Sequence, residues 1–557
     1  MPPARYPGPL SEPVIRLCAV IRNVATRRRV AFLASDADGT VTLSLALNSE
    51  EGNQGTLVGY MHFQPLFRLF EEVIEMLCLT VLSRSALPQR HPSRIVGRAI
   101  VLMIFQILFA SARAATFNVN SSADVPDVAP GDGQCETLVD SQVACTLRAA
   151  VQEANALPGA DVILLQANTT YLLTRVGIED ASLFGSLDIS DSVDIVGAGP
   201  ASTIVDGNGA VTNDRVFLVS TCNNDGCNPD AIAVNISGIA IRHGRSAGSG
   251  GGLATALVVG DKPVVTMTNC LIEDNSSDSG GGGVYAGGPI AVTRSVVIGN
   301  TAISGGGASF AANGVITDST ISGNTSAGNG GGITLVGYGS INRSTISGNH
   351  AHLEGGGIYS VTSADPAHHL YIVNSTVVGN GSDGAGGGLK NAAGGANLFN
   401  VTIAGNTANT DRSGSDGVGG GVANAANATL AFANSIIANN SALVSNSMFT
   451  LLNDCTGTIE SLDYNIVRVA TCTVVGDYST DAVQFGPLGY NGGPTQTLPL
   501  LAGSGGIDAG NPAGCTDNLD AVLDIDQRGL PRPVGAACDL GAYEVQPDLI
   551  FENGFDG

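Results

Sequence analysis

From about residue 250 to residue 440, glycine, apolar and polar positions recur in fixed columns with a period close to 25 residues. Short glycine runs end at Gly252, Gly283, Gly307, Gly332, Gly357, Gly388 and Gly421, and each is followed by an apolar residue: Leu253, Val284, Ala308, Ile333, Ile358, Leu389 and Val422. A second column, Asn275, Asn300, Asn324, Asn349, Asn380, Asn406 and Asn440, keeps step with them. Three residues before each asparagine stand Ile272, Val297, Ile321, Ile346, Val377, Ile403 and Ile437; five before stand Cys270, Ser295, Ser319, Ser344, Ser375, Val401 and Ser435. These two columns share parity, so they face one interior, as alternate residues of a strand do. The column six before (Asn269, Arg294, Asp318, Arg343, Asn374, Asn400, Asn434) has the opposite parity and is expected to look outward. Eight before, the residues are again apolar, from Met267 and Val292 to Phe432. That breaks the alternation and requires a bend between this column and the strand that follows.

A repeat of this length cannot bury its own apolar face, so it must stack on its neighbours. Two or three short strands joined by bends describe one coil of an all-β parallel β-helix, with coils about 4.8 Å apart. Like residues then stack into ladders. Asparagine suits a corner because it tolerates left-handed backbone and its amide bonds the amides above and below; glycine supplies bends that a Cβ would obstruct. Right-handed crossovers dominate parallel sheets, so the coil is expected to be right-handed. Helical repeats are poor rivals, since no 3.6-residue period is present and 75 glycines in 557 residues would undermine helices. The spacing from glycine run to asparagine grows from 16 to 22 between Leu253 and Asn275 and between Ile358 and Asn380, and a further insertion lies around Thr410 to Gly417. These loops project from the stack, where solenoids commonly carry function.

Ahead of the repeats, Arg94 and Arg98 precede the apolar run Ala99 to Ala110, followed by the small-x-small site Ala112-Arg113-Ala114, a secretory signal pattern. The run is too short for a membrane span, and no later candidate follows. The expected organisation is a spurious or disordered extension over 1–93, a signal peptide over 94–114, an amino-terminal cap over 115–160, coils over 161–450, further coils and a cap over 451–545, and a tail over 546–557. The alternative for the first segment is a genuine cytoplasmic extension with an amphipathic piece, Phe63 to Leu82. Within the first cap, CTLRAAVQEANA (145–156) places Leu147, Val151 and Ala154 on one helical face. An amphipathic helix there would cover the first coil, whose strand edges otherwise invite aggregation.

Of the 25 basic residues 12 precede residue 115, against 8 of the 49 acidic ones, so the remainder holds 13 basic and 41 acidic residues. This surface disfavours nucleic acid and anionic lipid as partners and suits divalent cations. Nine of the 11 cysteines lie after the signal, and eight are local neighbours: Cys135 and Cys145, Cys222 and Cys227, Cys455 and Cys472, Cys515 and Cys538. Disulfides are expected in an oxidising compartment, with connectivity left open. Cys270 stands in the inward serine column and reads as a buried thiol.

The motif CTLRAA, preceded by PGDGQC and followed by QEANALPGAD, resembles that of secreted bacterial CSLREA-motif proteins. YNGGPTQTLPLLAGSGGIDAGNPAGC and DQRGLPRPVGAACDLGAYE resemble the choice-of-anchor Q domain often paired with it. The central repeats are similar to pectin-lyase-like β-helices and to those of polymorphic outer-membrane proteins. The resemblance covers about Thr116 to Glu544 and implies a right-handed, pectin-lyase-like solenoid on the surface of, or secreted by, a Gram-negative bacterium. Thr146 and Ala149 replace the serine and glutamate of the usual motif.

β-Helices include enzymes that cleave acidic polysaccharide, so catalysis has to be weighed. The candidate surface ladder is Arg294, Asp318 and Arg343; stacked opposite charges favour mutual pairing, which keeps an arginine protonated and unfit as a base. One acid is also a thin calcium site, since calcium takes six to eight oxygens. Asn409-Thr410-Asp411 matches the NTD tripeptide of polygalacturonases but lacks their paired aspartates, Gly-His-Gly and Arg-Ile-Lys. His350, His352 and Glu354 alternate beside the Asn349 corner, with Asp383 in the place of His352 one coil later. Nothing in the sequence fixes a third ligand, so a solvated turn is expected and no metal site is assigned. His368 and His369 line an insertion. Asp508, Asp526, Arg528, Asp539 and Glu544 read as a salt-bridged cap. The absence of tryptophan weakens a sugar-stacking platform. The expected protein is therefore exported and non-catalytic, binding polysaccharide or another cell-surface component through adhesion or envelope contacts, with no cofactor required and calcium left open. The alternative is a secreted lyase or hydrolase of acidic polysaccharide.

Overall fold

The computed structural model describes residues 114–547 except 178–180, 224–225, 228–230, 256–262, 414–418, 470, 518 and 520; of 222–223 and 226–227 it describes the backbone. Before residue 114 it describes only the backbone of three strands, Ala31–Ala34, Val41–Ala46 and Thr56–Met61, which pair antiparallel in a unit of their own. The expected signal segment up to Arg113, the piece Phe63 to Leu82 and the tail beyond Pro547 lie outside the described residues.

The second unit is a solenoid of stacked parallel strands. One coil runs through Ala308–Phe310, Gly314–Thr317, Thr320–Ser322 and Thr325–Ser326. The next repeats it at Ile333–Leu335, Gly339–Asn342, Thr345–Ser347 and His350–Ala351. Each strand pairs in parallel with its counterpart, with Ala308 opposite Ile333, Ile316 opposite Ile341, Ile321 opposite Ile346 and Thr325 opposite His350. A coil thus has four strand positions, more than the two or three expected. The first two positions join into one sheet because Leu389–Phe399 spans both.

The register decides what fills the interior. Every residue of the columns three, five and eight before the asparagines is at most 2% exposed, so apolar and serine side chains line the lumen together. Glycine is needed where the fourth strand turns into the next first strand. Gly330 has φ +68°, a Cβ on Gly331 would stand 2.4 Å from the carbonyl oxygen of Gly356, and one on Gly332 would crowd the Asn349 amide.

The helix Leu147–Ala156 packs against Asp161–Leu164 and Leu187–Ile189. Thr146 caps it, its Oγ1 accepting from the Ala149 amide at 3.1 Å. The helix differs from an amphipathic surface helix, because its polar side is buried too. Arg148 pairs with Asp124 and donates to the carbonyls of Ser182, Gly185 and Ser186, while the Glu153 carboxylate accepts from the amides of Gly131 and Gly133. Loops on either side supply the partners that let those charges be enclosed.

Of the coils and cap expected over 451–545, the coils are present, with Cys455–Thr456, Thr458–Asp463 and Ile466–Val467 pairing in parallel with the coil before them; beyond them, the described residues between 495 and 542 lie along the flank of the stack. Thr495 Oγ1 donates to the Arg343 carbonyl, Thr345 Oγ1 to the Gln496 carbonyl, Asn374 Nδ2 to the Ile525 carbonyl and Asn400 Nδ2 to the Thr516 carbonyl, while the Ala542 amide donates to Thr402 Oγ1. Outward positions are buried where the segment lies: Ile298 on an uncovered coil is 38% exposed, whereas its stack-mates Ser347, Ala404 and Ala438 are buried. Among the described residues no helix is long and apolar enough to cross a membrane.

Candidate functional site

The column holding Arg294, Asp318 and Arg343 is a corner, which differs from the outward strand face expected of it. Its members all have left-handed backbone, φ running from 44° at Arg343 to 57° at Asn400, and they supply the bend demanded by the apolar column before them. Arg343 forks onto Asp318, with Nε to Oδ1 at 2.7 Å and Nη2 to Oδ2 at 2.9 Å. That hydrogen bonding raises the guanidinium pKa further above its ordinary value, against the opposing effect of burial. Arg294 is exposed and makes no ion pair among the described residues, so the ladder is one pair and one solvated arginine.

The asparagine column forms a buried amide ladder. Asn324 donates from its backbone N–H and from Nδ2 to Asn349 Oδ1, at 3.0 and 2.9 Å, and Asn349 does the same to Asn380. Each Nδ2 also reaches a carbonyl one coil back, as Asn349 does to Ile321. The chain of amides runs from Asn275 to Asn440 and ends on Asp454 Oδ1. The left-handed residue is not the asparagine, as expected from its tolerance of that backbone, but the one before it: Asp274, Gly299, Gly323, Gly348, Gly379, Gly405 or Asn439. Placing the turn one residue earlier leaves the asparagine amide pointing inward along the stack. Serines five positions back make a second ladder: Ser319 N–H donates to Ser344 Oγ and Ser344 N–H to Ser375 Oγ, both at 3.1 Å. Their small size was readable in sequence; that each hydroxyl serves the amide of the neighbouring coil was not.

On the fourth strand position, His350 and His352 meet Asp383 of the following coil. His352 Nδ1 is 2.8 Å from Asp383 Oδ2 and His350 Nε2 is 3.5 Å from Oδ1. Glu354 instead pairs with Lys390 at 3.0 Å. Asn409 and Thr410 serve the stack, the first donating to the Leu443 carbonyl and the second to Asp383, and Asp411 accepts from Ser413. His368 pairs with Asp365 and His369 lies against Tyr371 and Asn397.

In the flank segment, Arg528 pairs with Asp526 at 2.7 Å and Arg532 with Glu544 at 2.9 Å, all buried. Asp539 accepts from the amides of Asp508 and Val545; burial nonetheless pushes its pKa up to about 6. Asp508 accepts from the Ala536 amide. Disulfides join Cys135 to Cys145, Cys455 to Cys472 and Cys515 to Cys538. Cys222 and Cys227 face one another across a two-stranded turn, their side chains outside the described residues. Cys270 is a buried free thiol.

No protein-family model, curated protein or solved structure matches this chain.

Proposed function

We propose that this chain is an exported, non-catalytic protein of the bacterial cell surface or extracellular space, whose right-handed, pectin-lyase-like β-helix, capped by the helix 147–156, presents a surface for adhesion or for envelope and carbohydrate contact. The observation that carries the reading is the forked Arg343–Asp318 pair. The best-placed cation for abstracting a proton is locked in its protonated form, and its carboxylate partner is consumed by the same bonds. The flank segment supports it, because it covers the outward face of the third strand over the coils from Thr345 to Ile436 and so removes that face as a place for substrate. Three disulfides suit an oxidising compartment, and the acidic composition suits a surface that avoids anionic polymers. The resemblance to CSLREA-motif and choice-of-anchor Q proteins points the same way.

The test is incubation of purified protein with a panel of polyuronates, with and without calcium, following the ultraviolet absorbance of unsaturated product, beside sedimentation of the protein with intact cells. Cosedimentation without product is expected. Product that disappears in Arg343→Ala would replace this reading with a lyase.

A further inference from the structure

The histidine cluster on the fourth strand position is assembled by register. His350–Ala351 pairs in parallel with Gly381–Ser382, His350 opposite Gly381 and Ala351 opposite Ser382. Continuing by one residue places Asp383 over His352, and the Asp383 amide donates to the Ala351 carbonyl at 3.0 Å. Glycine at 381 gives the His350 ring its room, for a Cβ there would stand 3.2 Å from Nδ1. The two imidazoles meet edge to face with centroids 4.9 Å apart. One ligating atom from each of His350, His352 and Asp383 lies within 4.8 Å of the others. Thr410, from the coil after that of Asp383, donates to Asp383 Oδ1 and helps hold the carboxylate, the kind of outer support that orients a metal ligand. Asp411 interacts electrostatically with His350 and adds negative charge nearby.

We propose that His350, His352 and Asp383 form a binding site for a divalent transition-metal ion of the zinc class, clipping adjacent coils together. Zinc bonds of about 2.0–2.1 Å in a tetrahedron set ligand atoms about 3.3 Å apart; the two imidazole nitrogens lie near that distance from different oxygens of the carboxylate, 2.8 Å from Oδ2 and 3.5 Å from Oδ1, and one atom of each residue lies within 4.8 Å of the others, so side-chain rotation alone would bring the three onto one ion. Two nitrogens and one carboxylate favour zinc, nickel or copper over calcium, which takes an all-oxygen shell. The His352 side chain is 55% exposed, so the site opens to solvent and the fourth coordination position is left for water or for a donor on a partner. The site does not depend on the adhesive reading.

Titration of untagged, chelator-stripped full-length protein with zinc chloride by calorimetry tests it, with cobalt as a spectroscopic substitute. One zinc per chain at micromolar affinity is expected, with tetrahedral cobalt absorption, and at least a tenfold loss of affinity in both His352→Ala and Asp383→Asn, whose circular dichroism stays native. His368→Ala, in a separate loop, leaves binding unchanged. Absence of binding, a preference for calcium, unchanged affinity in His352→Ala, or loss in His368→Ala would each overturn the proposal.

Discussion

Replacing Asn349 with alanine removes four hydrogen bonds at once, and their direction makes the consequence unequal on the two sides. Asn349 Oδ1 is the acceptor for the Asn324 backbone N–H and for Asn324 Nδ2, while Asn349 Nδ2 donates to Asn380 Oδ1 and the Ile321 carbonyl. In the variant the buried Asn324 amide loses its acceptor, whereas Asn380 Oδ1 keeps the backbone N–H of residue 349. Water cannot enter to compensate, since Asn324, Asn349 and Asn380 are at most 1% exposed. A buried donor left unsatisfied costs about 1–3 kcal/mol; with the second orphaned group, Asn349→Ala is expected to destabilise the coil by about 2–5 kcal/mol. Nearest-neighbour stacking confines much of this to adjacent coils. Hydrogen exchange read peptide by peptide is therefore a better measure than a melting temperature, which loses meaning when long repeat arrays unfold in parts. Protection of the Asn324 amide should fall roughly 30-fold or more, at about 1.4 kcal/mol per decade, and that around Asn380 much less. Equal loss on both sides, or none at Asn324, would refute a directional ladder.

Other consequences concern buried titrating groups. The Asp539 carboxyl, raised from 3.8 to about 6, contributes stability that is present below pH 3.8 and lost as pH rises through about 6, at most about 3 kcal/mol. The urea midpoint of the wild type should therefore fall from pH 4 to 6.5 more steeply than that of Asp539→Asn, and parallel curves would exclude the assignment. The Cys270 thiol, pushed up to about 11 by burial, should resist iodoacetamide in native protein at pH 8 and react once unfolded, as read by mass spectrometry of its peptide; labelling of the native chain would contradict the lumen packing.

The stack was legible because each interior column repeats one kind of residue, and a period-2 alternation interrupted by one apolar column locates a bend whether or not the bend residue is recognised. Arg294, Asp318 and Arg343 were harder to place, since a polar residue of outward parity and a left-handed corner look alike in sequence; only the neighbouring Asn269, Asn374, Asn400 and Asn434, residues that tolerate positive φ, marked the column as a turn. Asp383 was seen beside the histidines as a stack-mate of His352, but the room left by Gly381 and the reach of His350 depend on side-chain packing. Arg148 and Glu153 were invisible as buried groups because their partners come from loops at 124–136 and 182–186 with no periodicity. The flank segment left a faint trace: outward positions that are Glu273 and Ile298 on early coils become Ser347, Val378, Ala404 and Ala438 on later ones, a drift toward smaller, uncharged residues where something must pack.

That segment changes how the solenoid behaves. A stack whose coils touch only their neighbours can open from either end one coil at a time, whereas bonds such as Thr376 to Gln527 and Thr402 to Ala542 join residues about 150 positions apart. Closing so long a connection costs little more entropy than closing a short one, because the penalty grows only logarithmically with length. The coils from Arg343 to Ile436 are thereby tied into a block that must separate from the segment before any of them opens. Asn324 lies just before that block and Asn380 inside it, so the strap reinforces the asymmetry that the amide ladder alone predicts. The histidine cluster lies on the fourth strand position, away from the strapped third, which leaves its coordination position open while the coils beneath it are held.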